Sequence, residues 1–324
     1  MAKSASRLPL GRGPSNMPSP RSIHKIAVIG FGEAGGIFAG DLARQKLAVT
    51  VFDILLNSKR HRHRMLKKAQ DSGVTAASGL KDCVREAELV ISAVTASSAL
   101  DVAHEAGRLL GEGQLFLDIN SVSPKSKRKA AEYVERHGAG FVEAAVMGAV
   151  PKQRLKVPML LGGPHACHAA ELLHSLGMDA TALSDQVGIA AAVKMCRSIF
   201  VKGLEALTVE FLFAARRYGA DDKVLESLVA TYPQMGWEDS LPDYLISRVA
   251  EHGRRRAVEM REVAQTLRQV GIAPTMAVAT AKRQQQLAAE IANLKIAMDP
   301  AAPFSWRALY DAVLESQRRS GTRK

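Results

Sequence analysis

The sequence predicts an α/β domain built on a doubly wound, mostly parallel sheet, followed by an all-α C-terminal domain. Three observations carry this. From about residue 25 to residue 185, short apolar runs alternate with helical stretches, the pattern of a parallel sheet with helices on its faces. A glycine-rich segment, Gly30-Phe31-Gly32-Glu33-Ala34-Gly35, follows the first apolar run and opens a helix. Beyond residue 185 the strand signal stops and helical segments continue to about residue 318.

The elements follow in chain order. Residues 1–22 are rich in Ser, Pro, Gly and Arg, cannot bury an apolar face and are expected to be a disordered basic tail. Their acid-free, Arg- and Ser-rich composition is that of a transit peptide. Pro9, Pro14, Pro18 and Pro20 argue against the amphipathic helix such a peptide needs, and Met17 is an alternative start. Strands are expected at Lys25–Gly30, Ala48–Asp53, Leu89–Val94, Leu115–Asp118 and Gly140–Glu143, then near Met159–Leu161 and Ala180–Leu183. A helix fills the gap after the first strand to about Gln45. One long helix is expected over 186–218, apolar on most sides and therefore buried, plausibly in a subunit interface. Further helices are expected at 221–231, 239–251, 254–271, 275–297 and 305–318. The expected division is 23–185 for the sheet domain, 186–318 for the helical domain and 319–324 for a tail.

Composition narrows the function. The chain has 324 residues, 47% hydrophobic and 23% charged, as in a globular protein. No run of about 18 apolar residues marks a membrane span. Cys83, Cys167 and Cys196 are scattered, which is neither a disulfide framework nor a metal site and fits a reducing, cytoplasmic compartment. The net charge of +12 gathers at the two ends and in Lys59-Arg60-His61-Arg62-His63-Arg64. No aromatics interleave with it to stack bases, so no nucleic-acid partner is expected.

The glycine-rich segment matches GxGxxG in its required context, strand before and helix after, which makes the first domain a Rossmann domain holding a nicotinamide dinucleotide. Gly30 permits the tight turn, Gly32 lets backbone approach the pyrophosphate, and Gly35 lets the helix pack on the strand. The pyrophosphate then sits on the helix N-terminus. Phe31, Glu33 and Ala34 complete the loop, and Val94 and Thr95, where the 89–94 strand ends, are grouped with it as cofactor contacts. Asp53 stands 23 residues after Gly30, at the second strand's end, where an acid bonds the adenosine ribose. Asp53 disfavours a 2′-phosphate, so NAD is expected. The basic run at 59–64 is either a solvated helix face or a contact to that phosphate, which leaves NADP possible.

Three later segments extend the pattern: Asp118-Ile119-Asn120-Ser121-Val122-Ser123-Pro124, Phe141-Val142-Glu143-Ala144-Ala145-Val146-Met147-Gly148-Ala149, and Gly188–Ser198. With the glycine motif, their order and spacing over residues 24–200 resemble the β-hydroxyacid dehydrogenases, in a 6-phosphogluconate dehydrogenase-like branch with its own C-terminal domain. The resemblance implies that Lys194 is the catalytic lysine, that Asn120 and Ser121 contact substrate and nicotinamide, and that Gly148 belongs to a substrate-binding segment. Met147, Ala149 and Ser198 depart from the family's usual Ser, Gly and Asn, which puts its familiar substrates in doubt.

Residue chemistry points the same way. Lys194 follows Ile189, Ala190, Ala191, Ala192 and Val193; an ammonium partly desolvated among them is drawn toward a working pKa and can take or give the alcohol proton, unless it is a snorkelling surface lysine. Ser198, one turn on, either bonds substrate or back-bonds to its helix. Arg197 and the cluster His252, Arg254, Arg255 and Arg256 are substrate clamps or solvated charge. Tyr232 and Trp237 are expected in core or interface. The expected activity is NAD(P)-dependent oxidation of a small hydroxy acid or related alcohol by a homodimer. Imine reduction is one alternative, against which Lys194 counts; a non-catalytic nicotinamide-binding or chromatin-associated protein is the other.

Overall fold

The computed structural model describes residues 23–296 and 303–321. The first-domain elements are β1 (Lys25–Ile29), α1 (Glu33–Ala43), β2 (Ala48–Phe52), α2 (Arg62–Asp71), β3 (Thr75–Ala76), α3 (Leu80–Val84), β4 (Leu89–Ser92), α4 (Ala99–Gly107), β5 (Leu115–Asp118), α5 (Pro124–Glu135), β6 (Gly140–Val146), α6 (Val150–Gln153), β7 (Met159–Gly162), α7 (Ala166–Ser175) and β8 (Ala180–Ser184). Then come α8 (Ile189–Tyr218), α9 (Asp221–Thr231), α10 (Leu241–Gln269), α11 (Thr275–Asn293) and α12 (Trp306–Gly321). The chain divides into two compact units at Lys194/Met195, within α8.

In the first unit the strands form one sheet in the order β3-β2-β1-β4-β5-β6-β7-β8. All neighbours are parallel except β6 and β7. The apolar runs are continuous because both faces are covered. Alternate residues divide between two cores: Ile26, Val28, Ile91 and Leu117 pack with Phe38 and Leu42 of α1 on one face, while Ala27, Ile29, Val90 and Phe116 pack with Ala103 of α4 and Val134 of α5 on the other. The chain leaves β1 toward β2 on one side and reaches β4 on the other, so a crevice opens past their carboxyl ends. That edge gathers the loop after β1, Asp53 after β2, Val94 after β4, Asn120 after β5 and Gly148 after β6.

The second unit packs Val209 and Leu212 of α8 with Ile246 and Val249 of α10, Leu287 of α11 and Trp306 and Leu309 of α12. Several expectations need correcting. The two helices expected at 239–251 and 254–271 are one, α10. Gly253 does not break it; a Cβ there would stand 3.0 Å from Ala288 Cβ and against the Gln284 carbonyl, so the glycine lets α11 pass close. Gly253→Leu is expected to cost about 1–3 kcal/mol by overpacking, read as a lower denaturation midpoint. α12 continues to Gly321, into the segment expected as tail. The short β3 and the 3-10 turn Ile54–Asn57 carry too few residues to show a period. Tyr232 is exposed, whereas Trp237 is buried against Phe211. Residues 1–22, 297 and 322–324, parts of the expected tails and of the 275–297 helix, lie outside the described residues.

Candidate functional site

The glycine loop is built by close backbone approach. Gly30 turns with φ +91° and donates its N–H to the Phe52 carbonyl at 2.8 Å; a side chain there would strike Ala93 O. A Cβ at Gly35 would strike Gly30 O, while one at Gly32 meets nothing within 4 Å. Backbone at Gly32 is therefore open to a ligand at the first turn of α1, where free N–H groups favour an anion. This cradle fits a pyrophosphate. Gly32 and Glu33 are exposed, Ala34 is half-buried and Phe31 is buried in the core of the sheet domain.

Asp53 ties the second strand to this loop. Its Oδ2 accepts from Phe31 N at 2.8 Å and its Oδ1 accepts from Leu55 N at 2.9 Å. Each oxygen retains a lone pair that a ribose hydroxyl can use. Lys68 of α2, which the sequence reading missed, donates to the carbonyls of Phe31 and Gly32 at 2.7 Å each and lies 4.3 Å over the Phe31 ring. Burial pulls the Lys68 ammonium below its ordinary pKa, Arg64 adds to this and Asp53 opposes it. Asp53, Leu55, Arg64 and Lys68 line a cleft of about 470 Å³ with Phe31 and Gly32. Of the basic run, Arg64 joins this cleft; Lys59 and Arg60 are exposed.

At the next strands Asn120 bridges β4 and β5. Its Oδ1 accepts from Val94 N at 2.7 Å and its Nδ2 donates to Ser92 Oγ at 2.9 Å. These two bonds fix the Asn120 side chain to the end of β4. Asp118 Oδ1 accepts from Asn120 N at 2.9 Å. Buried Lys127 lies 3.1 Å from that oxygen and donates to Asp118 O at 2.8 Å. Ser121 is half-buried beside this frame, and Thr95, exposed, bonds Ser97 and Ser98 at 3.0 Å. Gly148 is exposed just past β6.

Glu143, in register with Asp118 on β6, was read only as the end of a strand. It is fully buried, and its Oε1 accepts from Gly188 N at 2.7 Å and Ala190 N at 3.0 Å. Those groups begin α8, on which Lys194 is half-buried. Burial pushes the Glu143 carboxyl above its ordinary range, opposed by Lys127 and by backbone N–H groups. A carboxyl raised on folding stabilises most below its unfolded value, and that contribution is lost as pH rises through the folded value. Glu143→Gln should therefore flatten the fall in stability that the wild type shows as pH rises above about 4.5; an unchanged slope in pH-dependent denaturation would contradict this.

In the second unit, Ser198 is buried and accepts from Lys202 Nζ at 3.1 Å. Lys202 also pairs with Glu259 at 2.9 Å. Arg256 donates to both oxygens of buried Glu205 at 2.7 and 2.8 Å, and Arg255 pairs with Glu259. Arg256 is therefore neither a free clamp nor a solvated face. Arg197 and Arg254 are exposed.

Comparison with known proteins accords with this geometry. Residues 25–183 match the NAD binding domain of 6-phosphogluconate dehydrogenase, and residues 215–287 match a domain of unknown function, DUF1932. An uncharacterized 28.5 kDa protein of Methanothermus fervidus is 31% identical over 255 residues, 78% of this chain and 94% of its own length. The crystal structure of a conserved hypothetical protein from Sinorhizobium meliloti superposes with a TM-score of 0.75 at 32% identity, covering 92% of this chain and 98% of that one. Human mitochondrial 3-hydroxyisobutyrate dehydrogenase is 26% identical over 211 residues, 63% of this chain and 60% of that protein. The chain belongs to the 6-phosphogluconate dehydrogenase-like family of NAD-binding β-hydroxyacid dehydrogenase relatives, in the branch with its own C-terminal domain.

Proposed function

We propose that the protein is an NAD(P)-dependent oxidoreductase that oxidises a small hydroxy acid or related alcohol, with Lys194 as general acid/base. The observation that carries this reading is the convergence of the glycine loop, Asp53, Val94, Asn120 and Gly148 at one carboxyl edge of the sheet. When bound, the nicotinamide supplies the hydride acceptor. The chain's residues do the rest. Gly30–Gly35 and the start of α1 would hold the pyrophosphate, and Asp53 would bond the ribose. Val94 and Thr95 would flank the cofactor, with Val94 fixed by Asn120. Lys194, neutral, takes the hydroxyl proton as hydride leaves the adjacent carbon, and in reduction its ammonium returns that proton. Ser121, Gly148 and Ser198 contact the substrate. Residues 23–185 form the cofactor domain and 186–318 the substrate and dimerisation domain. Scattered free cysteines support a cytoplasmic location. Turnover on a panel of C3–C6 hydroxy acids and alcohols, followed by nicotinamide absorbance, tests the reading; cofactor binding without turnover on any member counts against it.

Asp53 makes NAD the preferred cofactor, because a 2′-phosphate would lie against its carboxylate. Calorimetric titration should show tighter binding of NAD, and Asp53→Ala should narrow the difference. NADP binding tenfold tighter than NAD would overturn this preference.

The protein is a homodimer in this reading. Ile189, Val193, Phe200 and Leu207 of α8 share one face and are 40%, 40%, 72% and 55% exposed, an apolar stripe that a second copy would cover. Light scattering at micromolar concentration should give twice the chain mass; a monomer would refute it.

A further inference from the structure

We propose that Glu143, from β6, positions the Lys194 ammonium by capping the first turn of α8 with a buried negative charge. The inference rests on the reading of Lys194 as the proton-transfer group. Residue Gly188, just before α8, has φ +106° and no side chain with which to cap the helix. The cap comes instead from a strand 45 residues back in the sequence: Glu143 Oε1 accepts from Gly188 N and Ala190 N.

The surroundings make room for this side chain. A Cβ at Gly162 would run into Glu143 Oε1, so the glycine on β7 makes the space that the side chain fills. Lys127 supplies the nearby positive charge and is itself fixed to Asp118. Glu143 Oε2 is buried and makes no hydrogen bond among the described residues. The group therefore holds two backbone N–H groups with one oxygen and keeps its charge off solvent.

Its reach to Lys194 follows from helix geometry. Ala190, which the carboxylate bonds, is one turn before Lys194, and helical side chains lean back toward the N-terminus. This lean directs a side chain at position 194 toward the capped end. The two equivalent positions Asp118 and Glu143, paired in register, then act alike: Asp118 fixes the Asn120 backbone and Glu143 fixes the helix that presents Lys194.

The test reads Lys194 itself and needs no substrate. Trace acetylation of the full-length protein with acetic anhydride across a pH series, resolved lysine by lysine by mass spectrometry, gives the apparent pKa of Lys194. The series extends upward from the carboxyl range, so that it covers the pH at which Glu143 is ionised. Glu143→Gln keeps an acceptor oxygen but removes the charge, so the apparent pKa of Lys194 should fall by about one pH unit, with exposed Lys152 and Lys156 unchanged. Hydrogen exchange at the 188–194 amides should stay close to wild type. A Lys194 titration indistinguishable from wild type overturns the proposal. Should the glutamine variant fail to fold, Glu143→Asp keeps the charge and withdraws it by one methylene. Exchange at Gly188 and Ala190 should then quicken at least tenfold, and unchanged exchange there overturns the cap. Failure of the catalytic reading shows separately, as a Lys194→Ala enzyme that still turns over.

Discussion

Replacing Lys194 by alanine is expected to lower turnover by roughly 10²–10⁴-fold, the contribution of one positioned acid or base. Cofactor affinity should stay nearly unchanged, because the proposed pyrophosphate cradle is the backbone of Gly30–Gly35 and does not include Lys194. Lys194→Arg should not rescue the rate, since a guanidinium stays protonated and cannot accept the hydroxyl proton. The pH profile of alcohol oxidation should lose one limb in the alanine variant. Turnover of Lys194→Ala within threefold of wild type would reduce the kinship with dehydrogenases to one of fold.

The largest effect on stability is expected at Lys127. Its side chain and that of Asp118 are 2% and 1% exposed and 3.1 Å apart, and the ammonium also holds the Asp118 carbonyl. Lys127→Met leaves the Asp118 carboxylate buried without its cation, which costs about 3–5 kcal/mol. Adding Asp118→Asn removes the stranded charge and should recover most of the loss. Denaturant unfolding of the two single variants and the double variant measures this directly. A loss below about 1 kcal/mol for Lys127→Met would mean that water reaches the pair.

Much of the fold was legible because its signals are local. Ile26, Ala27, Val28 and Ile29 form a continuous apolar run because both faces are buried, and Gly35 is dictated by a clash with Gly30 O only five residues back. Asp53 was legible from its place at a strand end. The groups that hold the site together were not, because their partners are remote in sequence. Glu143 looks like any residue in a strand until the helix start 45 residues later is placed against it. Lys127 sits among Lys125, Arg128 and Lys129, and nothing local marks it as the buried one. Lys68 was hidden in the same way, though its i,i+4 spacing from Arg64 was a usable sign that the two share a face. Asn120 was identified as a site residue, but its bond to Val94 depends on the β4–β5 neighbour relation. At Gly253 the local rule misled, since the glycine serves a close helix crossing and not a helix end.

The most direct test of the central claim is hydride transfer by the purified protein on a panel of C3–C6 hydroxy acids and alcohols, with imines as a parallel arm, run with wild type and Lys194→Ala. The expected result is reduction of NAD with at least one hydroxy acid or alcohol in the wild type and loss of that signal by at least about a hundredfold in the variant. Reduction of imines alone, or equal rates in the two proteins, would contradict Lys194-dependent oxidation of a CH–OH group.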